Sequence, residues 1–275
     1  MTLVQFSVGT NQKVTISFFA KATYDHEVPF LDAFDEDRDE AIGRALAAGV
    51  SHLILPAIDS ETTAIMHEVK RNYPDHIHLM MGLHPTHVGL NVEEELAHVR
   101  EQLDTYSFVA VGEIGMDLYW DKTYQSQQQY AFARQIDWAL AADLPIVIHC
   151  RNAFAPIFEV LEGVRDNRLR GVFHCFTGTI EDAQRALDLN FYLGIGGVVT
   201  FKNGKIDRFL ADFPIEKMLL ETDSPYLAPT PHRGKRNESA YLPIVANKMA
   251  ELFEITPVEM AKITSKNAQG LFDLS

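Results

Sequence analysis

"LPIVIHCRNAFAPIFEVLEGVRDNRLRGVFHCFTGTIEDAQRALDLNFYLGIG", residues 144–196, decides the fold. Three short apolar runs, at 144–150, 171–176 and 191–196, alternate with two amphipathic segments, 154–164 and 181–189. Short, nearly continuous apolar runs suit strands buried on both faces, while the segments between them carry helical periodicity. A strand–helix–strand–helix–strand order is the repeating unit of a parallel sheet.

The same alternation extends in both directions. Upstream lie "SHLILPAI" (51–58), "IHLMMGLH" (77–84) and "FVAVGEI" (108–114), and downstream lies "EKMLLETD" (216–223). Helix-like patterns at 35–48, 61–73, 92–103 and 124–142 separate them. These runs make seven strands, and "KVTISFFAKATY" (13–24) is β-rich enough to supply an eighth. Eight β/α units predict an α/β chain folded as a single-domain (β/α)8 TIM barrel, with a doubly wound open sheet as the alternative. Residues 31–275 form the barrel unit, preceded by a segment, 1–30, that supplies or precedes the first strand. Within that segment the alternation Val4, Phe6, Val8, then Val14, Ile16, Phe18 also suits a β-hairpin. The stretch 242–274 reads as helical and is expected to pack on the outside.

The chain has 275 residues, 47% of them hydrophobic, and a formal net charge of −14. Such an acidic balance disfavours general affinity for polyanions or anionic membranes. No apolar run approaches the roughly 20 residues of a spanning helix, and the N-terminus lacks the pattern of a secretory leader. Two cysteines, Cys150 and Cys175, imply no disulfide framework. The expectation is a cytoplasmic protein without membrane association, and no obligate protein partner is evident.

Polar residues fall at the ends of the apolar runs. His84 closes the third, Glu113 the fourth, His149 the fifth and Asp223 the eighth, while His174 lies within the sixth. The C-terminal ends of parallel barrel strands converge on one face, where active sites are built. Five such side chains in the same relative place are hard to explain as core packing. Imidazole with carboxylate is a mixed nitrogen and oxygen donor set, suited to a divalent ion such as Zn²⁺ or Mn²⁺. A buried carboxylate is costly without a partner, so Glu113 is expected to be balanced by metal. Its neighbours Gly112 and Gly115 are expected to let substrate or ion approach the backbone. Cys150 and Cys175 each follow a candidate histidine, and alternation turns both toward the helices as small core residues. A further H-x-H pair, His76 and His78, sits at a strand start and reads as a polar strand entry.

"VGEIGMDLYW", "LPIVIHCRNA", "GVFHCFTG" and "LLETDSPYLAPTPHRGKRNE" together resemble the signature blocks of the TatD family of metal-dependent deoxyribonucleases. The resemblance runs from about residue 31 to the C-terminus. It implies a TIM barrel that hydrolyses DNA phosphodiesters, often from a 3′ end, with one or two divalent ions (Mg²⁺, Mn²⁺ or Zn²⁺). It also implies that Glu113, His149, His174 and Asp223 are metal ligands, with Glu113 and Asp223 catalytic. His84, Arg151 and the "PHRGKRN" loop, with His232, Arg233 and Arg236, would line the site of a short or single-stranded DNA. Where the family carries an H-x-H pair after its first strand, this chain has His26 and Val28, and valine cannot bind metal. That departure fits either divergence or an altered reading frame. Two other functions keep the barrel: hydrolysis of a small ester or amide, and a catalytically impaired barrel that acts as a binding protein.

Overall fold

A computed structural model of the chain describes residues 14–18, 32–119 and 121–274. Its strands are β1 (Val14–Phe18), β2 (Val50–Pro56), β3 (Ile77–Met81), β4 (Ala110–Asp117), β5 (Ile146–Arg151), β6 (Gly171–Phe173), β7 (Phe191–Ile195) and β8 (Met218–Leu220). They form one eight-stranded sheet in sequence order, and each of the seven successive pairings is parallel. β8 also approaches β1, so the sheet curls on itself as the expected barrel rather than lying open. The stretch 13–24 thus supplies the first strand, and Val14, Ile16 and Phe18 lie in a strand parallel to β2. Residues 4–8 of the hairpin reading lie outside the described residues.

The helices are α1 (Arg38–Ala47), α2 (Thr63–Asn72), α3 (Val92–Thr105), α4 (Gln125–Ala141), α5 (Phe154–Gly163), α6 (Ile180–Asp188), α7 (Leu242–Leu252) and α8 (Pro257–Phe272). Between β7 and β8 the connection is a series of short 3-10 turns. The start of α8 shows why a local sequence makes a helix. Thr256 Oγ1 accepts from the Glu259 N–H at 3.2 Å, and the Glu259 carboxylate accepts from the Thr256 N–H at 3.0 Å. Pro257 stands in the first turn, where a missing N–H costs nothing.

Alternation along the strands divides the core into two layers. Leu53, Leu79, Val111, Ile148, Phe173, Leu193 and Leu220 face the helices. Ile54, Met80, Ala110, Val147, Val172 and Leu219 fill the barrel. Ala268, Leu271 and Phe272 of α8, with Leu274, pack against this inner layer. The C-terminal helix therefore plugs the barrel at the strand starts, near Val109 and Tyr192, rather than lying wholly outside as the sequence suggested. Its apolar residues are needed there, because the inner layer would otherwise face water at the end opposite the candidate site.

Candidate metal centre

The five expected side chains meet at the other end. Glu113 is 1% exposed and stands at the middle of the group. Its Oε2 lies 3.6 Å from His84 Nε2 and 3.9 Å from His149 Nδ1. Its Oε1 lies 3.8 Å from His174 Nε2, which in turn lies 3.4 Å from Asp223 Oδ1. One carboxylate thus faces two donor groups, one on each oxygen. Among the described residues, His84, Glu113 and His149 offer ligand atoms all within 4.8 Å of one another.

The local backbone explains how Glu113 arrives there. Strict alternation from Ala110 would turn Glu113 toward the helices, but the β4–β5 register shifts between Val111 and Ile114. After that bulge Ile114 and Met116 join the helix-facing layer, and Glu113 projects inward. The neighbouring glycines serve this bulge, not the ligand approach expected from sequence. A Cβ on Gly112 would sit 2.6 Å from the Val147 Cβ, and Gly115, at φ 136°, would drive a Cβ into the His149 carbonyl. Both keep β4 and β5 close.

Helix α4 then fixes the strand ends. Buried Gln135 accepts from the Leu83 N–H at 2.7 Å and donates to the Leu83 carbonyl at 3.4 Å. Two turns earlier on the same face of that helix, buried Gln128 accepts from the Asp117 N–H at 2.9 Å and donates to its carbonyl at 3.3 Å. These contacts hold the backbone next to His84 and at the end of β4.

Two carboxylates that sequence reasoning missed stand behind the imidazoles. Asp117 Oδ2 is 2.9 Å from His149 Nε2, and Glu221 Oε2 is 3.0 Å from His174 Nδ1. In both cases the nitrogen on the far side of the ring faces Glu113. Asp117, hydrogen-bonded to His149, fixes the tautomer of that ring and raises its basicity as a ligand, the usual support of a metal-binding histidine, while Glu221 sets a negative charge beside His174. His84 is built differently. Its Nδ1 accepts from the Thr86 N–H at 3.2 Å, so the neutral ring carries its proton on Nε2, which points at Glu113. In that tautomer His84 presents a hydrogen-bond donor toward the site.

The charge states follow from burial and neighbours. Burial pushes the Glu113 carboxyl up to about 7, against the pull of His174 and His149. Burial likewise holds His84 well below the usual imidazole value, with His149, His87 and His174 adding to it. For His174 burial acts downward, but the Glu113, Glu221 and Asp223 carboxylates outweigh it and hold the ring well above its usual value. Burial raises Asp117, and the His149 hydrogen bond and charge more than offset this, leaving it lowered.

Neither oxygen of Glu113 has a hydrogen-bond partner among the described residues. A buried carboxylate left so is costly in a folded protein, and a divalent cation between it and the imidazoles satisfies it. The residues present therefore fit a divalent ion.

The remaining expected residues divide. Arg151 closes β5, pairs in register with Asp117, and lays its guanidinium 4.0 Å over the Tyr119 ring. In the loop, His232 stacks flat on Tyr241 at 4.1 Å, and exposed Arg233 lies 3.7 Å over Phe201. Arg236 is committed elsewhere: it bonds both Asp37 oxygens at 2.7 and 2.6 Å and the Ala33 carbonyl at 2.7 Å. Cys150 and Cys175 pack against the helix-facing layer as expected. His78 bonds His52 at 2.9 Å at the strand starts, away from the centre. His26 and Val28 lie outside the described residues.

The family model of the TatD-related DNases matches residues 26–273. The chain belongs to the TatD family. It is 39% identical over 245 residues to the uncharacterized metal-dependent hydrolase YabD of Bacillus subtilis (strain 168), covering 89% of this chain and 96% of that one. Over 246 residues it is 33% identical to the 3'-5' ssDNA/RNA exonuclease TatD of Cronobacter sakazakii (strain ATCC BAA-894), with 87% and 93% covered. The crystal structure of YJJV, a TatD homolog from Escherichia coli k12, superposes with a TM-score of 0.84 at 27% identity, covering 96% and 98%. This TatD-family chain is a metal-dependent hydrolase with a divalent ion as its cofactor. No helix among the described residues is long and apolar enough to cross a membrane.

Proposed function

We propose that this TatD-family chain is a cytoplasmic deoxyribonuclease that hydrolyses phosphodiester bonds at the 3′ end of short or single-stranded DNA. Glu113, His149, His174 and Asp223 would hold the divalent metal. The observation that carries this reading is Glu113, buried without a hydrogen-bond partner among the described residues and facing donors on both of its oxygens. The relative named as an exonuclease on single-stranded DNA and RNA supports the substrate class.

A divalent ion bound here supplies Lewis acidity toward a phosphoryl oxygen and toward water. The protein's own groups do the rest. Glu113 is the bridge between the two donor groups. Asp223, its side chain 20% exposed and Oδ1 beside His174, is placed to take the proton of the attacking water. The His84 Nε2–H donates a hydrogen bond to a phosphate oxygen, and the Arg151 guanidinium binds an adjacent phosphate. A chain of net charge −14 gains little from long duplex DNA, whose non-specific binding comes from phosphate neutralisation. A short strand held at a local site suits it better.

The test is the product pattern on 3′-labelled and 5′-labelled single strands with Mg²⁺ or Mn²⁺, beside duplex DNA, RNA and a panel of small esters. Stepwise loss of nucleotides from the 3′ end of the single strand is expected. Turnover of the small esters alone would replace this reading with the small-ester hydrolase.

A further inference from the structure

Tyr119 stands at the mouth of the centre, 50% exposed. It lies two residues past β4, on the face where the metal centre opens.

It is also held firmly. Its N–H donates to Asp117 Oδ1 at 3.0 Å, and the other oxygen of that carboxylate holds His149. The preceding Leu118 N–H donates to the Arg151 carbonyl at 2.9 Å. The Arg151 guanidinium lies 4.0 Å over the ring. The backbone of Tyr119 is thus tied through one carboxylate to a candidate metal ligand, and its ring is a half-exposed plane against Arg151. An aromatic side chain with only two rotatable angles binds a planar partner with little loss of rotamer freedom.

We propose that Tyr119 is the stacking platform for a nucleobase of the substrate strand, with Arg151 behind it offering edge N–H groups to the neighbouring phosphate. The proposal rests on the nucleolytic reading above and adds where the strand is gripped. The platform meets a need created by the charge balance. With 38 acidic and 24 basic side chains, the protein cannot hold a strand by general electrostatics. Stacking on an aromatic ring is independent of charge and tolerant of sequence, because every base has a π-face.

The experiment compares short single strands that are intact with strands carrying one abasic tetrahydrofuran residue, moved in turn through the last positions at the 3′ end. Wild-type enzyme is assayed with Mn²⁺ beside Tyr119→Ala and Tyr119→Phe. For wild type, base removal at one position lowers kcat/KM about tenfold, mostly through KM, in line with base–aromatic stacking elsewhere. Tyr119→Ala shows the same loss on the intact strand and becomes indifferent to base removal, while Tyr119→Phe regains the base preference. Two results overturn the platform while leaving the nuclease standing: a wild type indifferent to every abasic position, or a Tyr119→Ala enzyme that keeps the base preference. Failure of wild type to cut any of the strands overturns the nuclease reading and the platform together.

Discussion

Asp117 holds His149 from behind, with Oδ2 2.9 Å from Nε2, while the Nδ1 of the same ring faces Glu113 at 3.9 Å. The carboxylate and the ring act as one unit. Replacing Asp117 by Asn keeps the shape but removes the charge that makes His149 a good ligand. The expected effect is a roughly 10–100-fold weaker affinity for Mn²⁺, as for other outer carboxylates behind metal-binding histidines. Isothermal titration of the metal-stripped variant beside wild type measures it.

The buried Glu113 makes stability depend on pH in a definite direction. Its folded value of about 7 lies above the ordinary 4.5, so the metal-free fold binds this proton more tightly than the unfolded chain does. The contribution to stability is fully present below about 4.5 and is lost as pH rises through about 7. Metal competes with that proton, so Mn²⁺ should raise the melting temperature more on the alkaline side of 7 than on the acid side. Melting curves across this range, with and without Mn²⁺, test the sign, and Glu113→Gln should remove most of the difference.

Gln135 satisfies both backbone groups of Leu83 from α4. Gln135→Leu leaves a buried N–H and a buried carbonyl without their partner. A loss of about 2 kcal/mol is expected from the unsatisfied groups, read from urea unfolding. Because Leu83 precedes His84, KM for a short strand should rise as well.

Arg236 is expected to separate from the other basic residues. Its guanidinium bonds both Asp37 oxygens and lies 4.3 Å over Phe34, so it anchors the loop to the start of α1. Arg236→Gln should lower stability by about 1 kcal/mol, the scale of a well-formed, partly exposed ion pair. KM for a short strand should stay at the wild-type value, whereas Arg151→Gln should raise it. Steady-state kinetics on the two variants decide between an anchor and a phosphate contact.

The barrel was legible because buried parallel strands need continuous apolar runs, and all the runs from 51 onward became strands. His84, Glu113, His149, His174 and Asp223 were legible because they punctuate those runs at one end. Asp117 and Glu221 were not. Each lies on the same strand or strand exit as a stronger candidate, and nothing in spacing separates a ligand from the carboxylate behind a ligand. Glu221, two residues before Asp223 in "LLETD", had the right period-two offset to be suspected. Asp117 was hidden further, because the bulge at Glu113 breaks the alternation from which its direction would be counted. The role of Gly112 and Gly115 was misread for the same reason: their close neighbours belong to β5, distant in sequence. Arg236 looked like part of an anion-binding loop, since its partner Asp37 lies 199 positions away.

The most direct test of a Glu113-centred metal hydrolase is one paired measurement on wild type and Glu113→Gln, a substitution that keeps the volume and removes the charge. Mn²⁺ binding is titrated, and hydrolysis of a 3′-labelled single-stranded DNA is followed in the same buffer. Wild type should bind Mn²⁺ and release labelled nucleotide only when the ion is present, and the variant should lose both. Metal-dependent release at the wild-type rate by Glu113→Gln would contradict the central role given to that carboxylate.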